Sequence, residues 1–185
     1  MKVFITSIGE ATTNVCVWQA RRLGFLDLVV LDQKESWYQK YIQFLNLAKE
    51  YAFCLRIDAD IILNKRILNY MWLTEIQSEI DMYQFNLYCQ YKNDIIIGPP
   101  VFYRRSRIEL ALDHIKDETF HHNRPETDVW RLAPIHTKTF DEVVGIHGFY
   151  QDKETIDRAK KNKENRKQIE NYDFELTEQL KKLYE

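Results

Sequence analysis

Two aspartates separated by one residue, Asp58 and Asp60, are the strongest candidates for chemistry in this sequence. They follow an apolar run at residues 52–57, which predicts a buried strand, and α/β sheets bind ligands at the carboxyl ends of such strands. Side chains two residues apart on an extended chain point the same way, so both carboxylates should face one site. Carboxylate oxygens suit Mg²⁺ or Mn²⁺, which can hold a diphosphate. A pair of turn or helix-capping aspartates is the alternative.

A second acidic pair, Glu126 and Asp128, follows Pro125 at the predicted start of a short helix. The helix dipole alone favours acids in a first turn, so stabilisation of the helix is one explanation. A carboxylate that is fixed at a helix start and faces a cleft can also deprotonate a hydroxyl group as a general base. The sequence leaves both explanations open.

Histidines and a proline turn supply the remaining candidates. His147 lies in a Gly-Ile-His-Gly turn, where it can be a metal ligand or a hydrogen-bonded turn residue. The adjacent His121 and His122 lack the spacing of a metal motif and are predicted to be exposed loop residues. Gly98 opens a Gly-Pro-Pro turn that leads to Arg104, and this combination suits a polar or anionic acceptor. A strand-end turn with surface arginines is the alternative.

The elements that must position these residues alternate between strand and helix in the first 80 residues. Strands are predicted at residues 2–7, 25–31 and 52–57, and helices at residues 15–23, after the capping box Ser36-Trp37-Tyr38-Gln39, and after Asn64. This order predicts a mostly parallel sheet with helices on both faces.

The rest of the chain carries weaker signals. Strands are predicted at residues 82–91, 95–97 and 143–150, and a second capping box at Ser106 predicts a helix to about residue 116. From residue 151 the composition changes to nine acidic and nine basic side chains with leucines at helical spacing. We therefore expect a single α/β domain at residues 1–150 and a charged helical extension at residues 151–185, with a surface tail as the alternative.

Composition excludes several classes of protein. A chain of 185 residues with a formal charge of −2 lacks the basic footprint of a nucleic-acid-binding protein. Three cysteines without a Cys-x-x-Cys spacing fit neither a disulfide framework nor a zinc site. No secretory signal and no membrane-length apolar run is present, so a cytoplasmic location is expected, with peripheral membrane contact as a further option. Walker, Gly-x-Gly-x-x-Gly and Gly-x-Ser-x-Gly motifs are missing, which argues against ATPases, Rossmann dehydrogenases and serine hydrolases.

The order of these features resembles the GT-A glycosyltransferases. The stretch at residues 46–63, Asn-Leu-Ala-Lys-Glu-Tyr-Ala-Phe-Cys-Leu-Arg-Ile-Asp-Ala-Asp-Ile-Ile-Leu, looks much like the corresponding part of family 2 enzymes. Both have a helix end, an apolar strand, Asp-Ala-Asp and a further apolar run. The ordered resemblance covers roughly residues 2 to 150, and it is specific in the stretch just quoted. It implies a single-domain GT-A-like fold.

The resemblance implies roles for individual residues. Asp60 and His147 would bind Mn²⁺ or Mg²⁺ on the diphosphate of a nucleotide sugar, with a UDP-sugar as the favoured donor. The residues that would contact the nucleotide sugar are Thr6, Ser7, Glu10, Asp32, Arg56 and Asp58. Gly98 and Arg104 would face the acceptor. The family's adjacent Glu-Asp pair is here Glu126-Thr127-Asp128, so we favour Asp128 as the base and place Glu126 second.

These roles imply a metal-dependent transfer of a sugar to a hydroxyl group with inversion, and retention is the alternative. The acceptor is a glycan, a lipid-linked molecule or a protein, and the C-terminal helices offer a homodimer contact. A sugar-nucleotidyltransferase is a competing expectation, but such enzymes carry a glycine-rich basic loop after the first strand. Residues 7–12 contain one glycine and no basic residue. A non-catalytic nucleotide-sugar-binding relative is the third expectation.

Overall fold

A computed structural model describes residues 1–10, 12–32, 36–75, 79–90, 94–115 and 136–148. These ranges form seven strands, three α-helices and one 3₁₀ helix. In chain order they are β1 (Lys2–Thr6), α1 (Thr13–Arg22), β2 (Leu28–Leu31), α2 (Trp37–Ala48), β3 (Phe53–Asp58), β4 (Ile61–Leu63), the 3₁₀ helix (Lys65–Thr74), β5 (Met82–Cys89), β6 (Asp94–Arg104), α3 (Arg105–Ile115) and β7 (Thr137–His147). The predicted alternation of strands and helices in the first part of the chain is confirmed.

Local signals in the sequence explain where several helices begin and end. The capping box of α2 is present, since the Ser36 hydroxyl accepts from the Gln39 N–H and the Gln39 side chain accepts from the Ser36 N–H. Gly24 follows α1 with a φ of 95°, a conformation that terminates helices and favours glycine. Asn64 caps the 3₁₀ helix, because its side-chain oxygen accepts from the Arg66 N–H at 2.9 Å.

The strands form one sheet in the order β2-β1-β3-β6-β5-β7-β4. The pairs β1–β2, β1–β3 and β5–β7 are parallel, and the pairs β3–β6, β5–β6 and β4–β7 are antiparallel. The α/β class is therefore confirmed. The sheet was predicted to be mostly parallel, but in the described ranges three strand pairs are parallel and three are antiparallel. The parallel arrangement of β2, β1 and β3 does not continue beyond β3, because β6 runs antiparallel beside it.

The connection between β3 and β4 determines the shape of this sheet. Only Ala59 and Asp60 separate the two strands in the chain, yet β4 lies at the far end of the strand order, beside β7. The sheet must therefore curl, so that its β7–β4 end returns to the carboxyl end of β3. The end of β7 and the end of β3 consequently meet.

Two hydrophobic cores cover the two faces of the sheet. One core joins α1 and the 3₁₀ helix to the side chains Val3, Ile5, Leu55, Ile57, Phe85 and Phe102. The other joins α2 and α3 to the alternate side chains Phe4, Cys54, Met82, Val101 and Tyr103. The alternation of neighbouring residues between the cores is the pattern of a sheet buried on both faces. Such burial holds the carboxyl ends of β1 and β3 rigidly.

Two predictions in the second half of the chain are wrong. β6 continues through Pro99 and Pro100 because the register against β5 shifts between Gln84 and Phe85, and the prolines occupy this irregularity. The capping box at Ser106 does not form, because α3 begins at Arg105 and the Ser106 hydroxyl instead bonds the Asp81 carboxylate.

Some predictions fall outside the described residues. These include the two loop histidines, the acidic pair Glu126 and Asp128, and the extension at residues 151–185. None of the helices in the described ranges is both long and apolar enough to span a membrane.

Candidate functional site

The candidate site lies where β1 and β3 end side by side. Thr6 and Asp58 are the last residues of these strands and are partners in the parallel register. The Thr6 carbonyl accepts the N–H of Ala59, which fixes the turn that follows β3. The Thr6 hydroxyl donates to Oδ1 of Asp58 at 2.7 Å. Two of the predicted site residues are therefore joined directly at the carboxyl edge.

Arg56 supports Asp58 from inside the protein. Its Nη2 lies 2.7 Å from Oδ1 of Asp58, and the residue is only 2% exposed. The guanidinium lies over the rings of Trp37, Tyr41 and Phe44, at 5.0, 5.7 and 6.0 Å from their centroids. Arg56 is predicted to contact the nucleotide sugar. Because it is buried and bonds Asp58, its effect on a ligand would be indirect, through the orientation of Asp58.

Asp60 and His147 form the second part of the site. Oδ2 of Asp60 lies 3.5 Å from Nε2 of His147, although one residue follows β3 and the other ends β7. The backbone fixes this meeting, because Ile61 pairs with His147 in the β4–β7 ladder and the Gly148 N–H donates to the Asp60 carbonyl at 3.0 Å. The curl of the sheet thus brings together the two residues expected to bind a metal.

The charges at this edge shift several pKa values. Burial lowers the pKa of His147, but the Asp60 carboxylate and the contact with Cys89 outweigh it and raise that pKa to about 9. Burial raises the pKa of Asp60, while His147 lowers it and the Asp58 and Glu10 carboxylates raise it further. Two neighbouring carboxylates thus disfavour the charged form of Asp60, an effect that a bound cation would oppose.

The Cys16 thiol reports the same acidic environment. Burial raises its pKa, and the carboxylates of Asp60, Asp58 and Glu10 add to the increase. The thiol therefore stays protonated, which excludes a thiolate nucleophile at this position. Its Sγ lies 3.9 Å from the Asp58 carbonyl oxygen, so α1 packs close to the turn after β3.

The Asp60–His147 pair fits a divalent cation. Two adjacent ligands of an octahedral Mg²⁺, each about 2.1 Å from the ion, lie about 3 Å apart. The observed separation of 3.5 Å needs only a small adjustment. Within the ranges that the structure describes, no group of three His, Cys, Asp or Glu side chains is arranged to hold a metal ion. Water and oxygens of a ligand can fill the remaining positions.

The loop after β1 is shaped by its own polar side chains. The Glu10 carboxylate accepts from the Ser7 hydroxyl and from the Ile8 N–H, both at 2.6 Å. The Ser7 hydroxyl also lies 2.8 Å from the Thr13 hydroxyl at the start of α1. Gly9 has a φ of 93°, which only glycine adopts readily. Ser7 and Glu10 thus stabilise a tight loop at the site. Asp32, also predicted to contact the nucleotide sugar, directly follows β2 and is exposed.

The two residues predicted to face the acceptor separate in the structure. Gly98 lies on the site side, because Val101 pairs with Arg56 and the preceding residues of β6 run toward the carboxyl end of β3. Arg104 pairs with Phe53, the first residue of β3, and its Nε donates to the Ile80 carbonyl at 2.9 Å. Arg104 therefore stabilises the opposite end of the sheet and is not part of the site.

Sequence reasoning missed two residues of the site. The Lys40 side chain is 1% exposed, and its ammonium donates to the Ser7 carbonyl beside the loop after β1. Cys89 is also 1% exposed, and its Sγ lies 3.2 Å from Nδ1 of His147. Both contacts join residues that are distant in sequence, so no local motif predicts them. A lysine within the apolar stripe of α2 was the one signal available for Lys40.

Comparisons with known proteins detect likeness in structure alone. No protein-family model and no curated protein matches the sequence. Among solved structures, A197 from STIV superposes with a TM-score of 0.58 at 13% identity, over 80% of this chain and 85% of the other. The 2-C-methyl-D-erythritol 4-phosphate cytidylyltransferase from Thermus thermophilus gives 0.55 at 10% identity, over 88% and 98%.

A glycosyltransferase involved in glycosylation of the major capsid of PBCV-1 shows a looser likeness, with a TM-score of 0.48 at 11% identity over 87% of this chain and 100% of the other. Identities this low establish a shared fold and nothing finer. The predicted α/β fold class is confirmed, because the chain shares its fold with A197 and with the cytidylyltransferase, both at TM-scores above 0.5.

Proposed function

We propose that this protein is a transferase that binds a nucleotide sugar at the carboxyl edge of β1 and β3. The observation that carries the proposal is the meeting of Asp60 and His147, 3.5 Å apart, beside Asp58. A cation site next to an acidic strand end is suited to a diphosphate, because the cation balances the charge of both the acids and the phosphates. The cation would be Mn²⁺ or Mg²⁺.

The finer proposal is transfer of a sugar from a nucleoside-diphosphate sugar, with a UDP-sugar favoured, to a hydroxyl acceptor. Asp58, held by Arg56 and Thr6, would receive the ribose, and the loop at residues 7–10 would line the nucleoside. When bound, the cation supplies neutralisation of the charge on the departing diphosphate. Asp128, with Glu126 second, would take the proton of the acceptor hydroxyl, and attack on the face opposite the leaving group gives inversion.

A sugar-nucleotidyltransferase is the second candidate. The shared fold with the Thermus thermophilus cytidylyltransferase favours it by analogy, since one fold can host both reactions. The loop after β1 argues against it, because Glu10 places a carboxylate where a triphosphate would need basic groups. Release of pyrophosphate from a nucleoside triphosphate and a sugar phosphate would favour this candidate. A non-catalytic relative would bind the nucleotide and show neither reaction.

A thermal-shift experiment tests the proposal. The protein is melted with Mn²⁺ and with UDP, GDP, CDP and UDP-glucose, each with and without the cation. We expect each nucleotide that binds to raise Tm only in the presence of Mn²⁺, and Asp60→Asn to abolish this rise. Asp27→Asn is the matched control, because Asp27 lies beside the opposite end of β1 and pairs with Lys2. No shift with any nucleotide would refute the proposal.

We also propose that two copies of the chain contact one another through the extension at residues 151–185. Its leucines at helical spacing supply an apolar stripe, and its equal numbers of acids and bases allow two copies to face one another without net repulsion. Sedimentation of the full chain and of a chain ending at residue 150 tests the contact. A dimer that persists in the shorter chain would contradict it.

A further inference from the structure

The His147 ring is held at both of its nitrogens. Nε2 lies 3.5 Å from the Asp60 carboxylate, and Nδ1 lies 3.2 Å from Sγ of Cys89. Cys89 is the last residue of β5 and is the register partner of His147 on β7. The backbone ladder therefore sets the contact between sulfur and ring. The sulfur lies in the protein interior, because Cys89 is 1% exposed.

A histidine that binds a metal through one nitrogen carries its hydrogen on the other. An acceptor for that N–H fixes the ring orientation and keeps the free nitrogen aimed at the metal. Such acceptors are usually carboxylate or carbonyl oxygens. A sulfur is a weaker acceptor, but it is large enough to fill the buried space behind the ring.

We propose that Cys89 is a positioning residue whose sulfur accepts the Nδ1–H of His147, so that Nε2 faces Asp60 and a divalent cation can bind between them. The inference rests on the proposed function, since it assigns a role toward the same cation. Cys89 lies behind the ring relative to Asp60, because the two residues contact opposite nitrogens. It is therefore not a metal ligand.

Cys54 offers a matched control for substitutions of Cys89. Burial raises the pKa of both Cys16 and Cys54, so both remain neutral thiols. Cys54 is equally buried, at 1% exposure, and packs in the core beside α2 and α3. Cys54→Ala removes a buried thiol of the same size far from the histidine, and it is the matched control for Cys89→Ala.

Mn²⁺ affinity, measured by water-proton relaxation on the full chain, is the first test. We expect Cys89→Ala to weaken Mn²⁺ binding about 10- to 100-fold, the usual cost of losing a partner of a metal-binding histidine. Cys89→Ser keeps an acceptor at the position, so it should bind within a few-fold of the wild type. Cys54→Ala should bind as the wild type does. Unchanged affinity in Cys89→Ala, or equal losses in the Ala and Ser variants, would overturn the inference.

The second test requires no metal. In ¹⁵N-histidine spectra at mildly acidic pH, the Nδ1–H of His147 should exchange slowly with water in the wild type and rapidly in Cys89→Ala. Rapid exchange in the wild type would overturn the inference. A wild type with slow exchange that binds no Mn²⁺, alone or with UDP, would contradict the proposed function and reduce Cys89 to a structural partner of the ring. Mn²⁺ binding that is insensitive to Cys89→Ala would contradict the inference alone.

Discussion

Arg56 donates a hydrogen bond of 2.7 Å to Oδ1 of Asp58 from a position almost entirely inside the protein. The same oxygen accepts from the Thr6 hydroxyl at 2.7 Å, while the Asp58 side chain remains 25% exposed. The buried arginine and threonine thus orient the carboxylate through Oδ1, and the exposed part of Asp58 remains accessible to a ligand.

Breaking this pair should cost both stability and binding. Arg56→Ala removes the guanidinium that pairs with the Asp58 carboxylate and packs against three aromatic rings. We therefore expect a loss of about 3–5 kcal/mol in the free energy of unfolding. Arg56→Lys keeps the charge but loses the planar geometry, and should cost less while still weakening binding of UDP. Urea denaturation and calorimetric titration measure the two effects. Arg105→Lys, an exposed arginine on α3, should change neither.

The Asp60–His147 contact predicts how stability depends on pH. The pKa of His147 is raised from 6.5 to about 9, so the folded state holds a proton that the unfolded state releases earlier. The resulting stabilisation is complete below pH 6.5, decreases as the pH rises toward 9 and is absent above it. Its upper limit is about 3 kcal/mol. Urea denaturation across this range should show the decline in the wild type.

His147→Gln isolates this contribution, because it removes the titrating group and keeps a polar side chain. The stability difference between wild type and variant should be largest in mild acid and should shrink with increasing pH. His114→Gln, on α3, is the control and should follow the wild type. A constant difference between wild type and His147→Gln would show that folding does not change the pKa of His147.

Gly145 allows the close approach of β4 and β7 that places Asp60 beside His147. A Cβ at this position would lie 2.7 Å from the Ile62 carbonyl oxygen and 3.1 Å from Cδ2 of Leu87. Gly145→Ala must therefore push the strands apart, and we expect both a lower Tm and weaker Mn²⁺ binding. Gly98→Ala is the matched control, because nothing lies within 4 Å of its Cβ position. Equal effects of the two substitutions would contradict the steric explanation.

Lys40 should stabilise the loop after β1 through its bond to the Ser7 carbonyl. Lys40→Met keeps most of the aliphatic volume and removes the donor, so we expect a loss of about 1–3 kcal/mol in the free energy of unfolding. UDP affinity should also fall, because the loop would no longer be fixed. Lys49→Met, at the exposed end of the same helix, should leave both quantities unchanged. Denaturation and titration of both variants decide the point.

The first half of the fold could be predicted because its signals are local. The apolar run of β3, the capping box at Ser36 and the glycine after α1 each act within a few residues, and the structure has all three. The acidic site at the end of β3 followed from the same local pattern.

The second half depends on contacts between distant residues. The prolines of β6 argue against a strand until the register shift opposite Gln84 provides room for them. The beginning of β7 is polar and alternates weakly, so its pairing with β5 defines it as a strand. The Cys89–His147 contact and the wrongly predicted position of Arg104 have the same cause, since strand direction and register, which no local pattern shows, decide where these side chains lie.

The acidic pair Glu126 and Asp128 provides the sharpest functional prediction. If Asp128 is the general base, Asp128→Asn should leave the Mn²⁺-dependent binding of UDP unchanged and lower kcat about 10²- to 10⁴-fold, because the substitution removes proton transfer alone. Glu126→Gln is the matched variant and should lower kcat less. The opposite ranking would assign the base to Glu126. Equal and small losses of kcat in both variants would indicate that these acids only stabilise the predicted helix through its dipole, and that another group takes the proton.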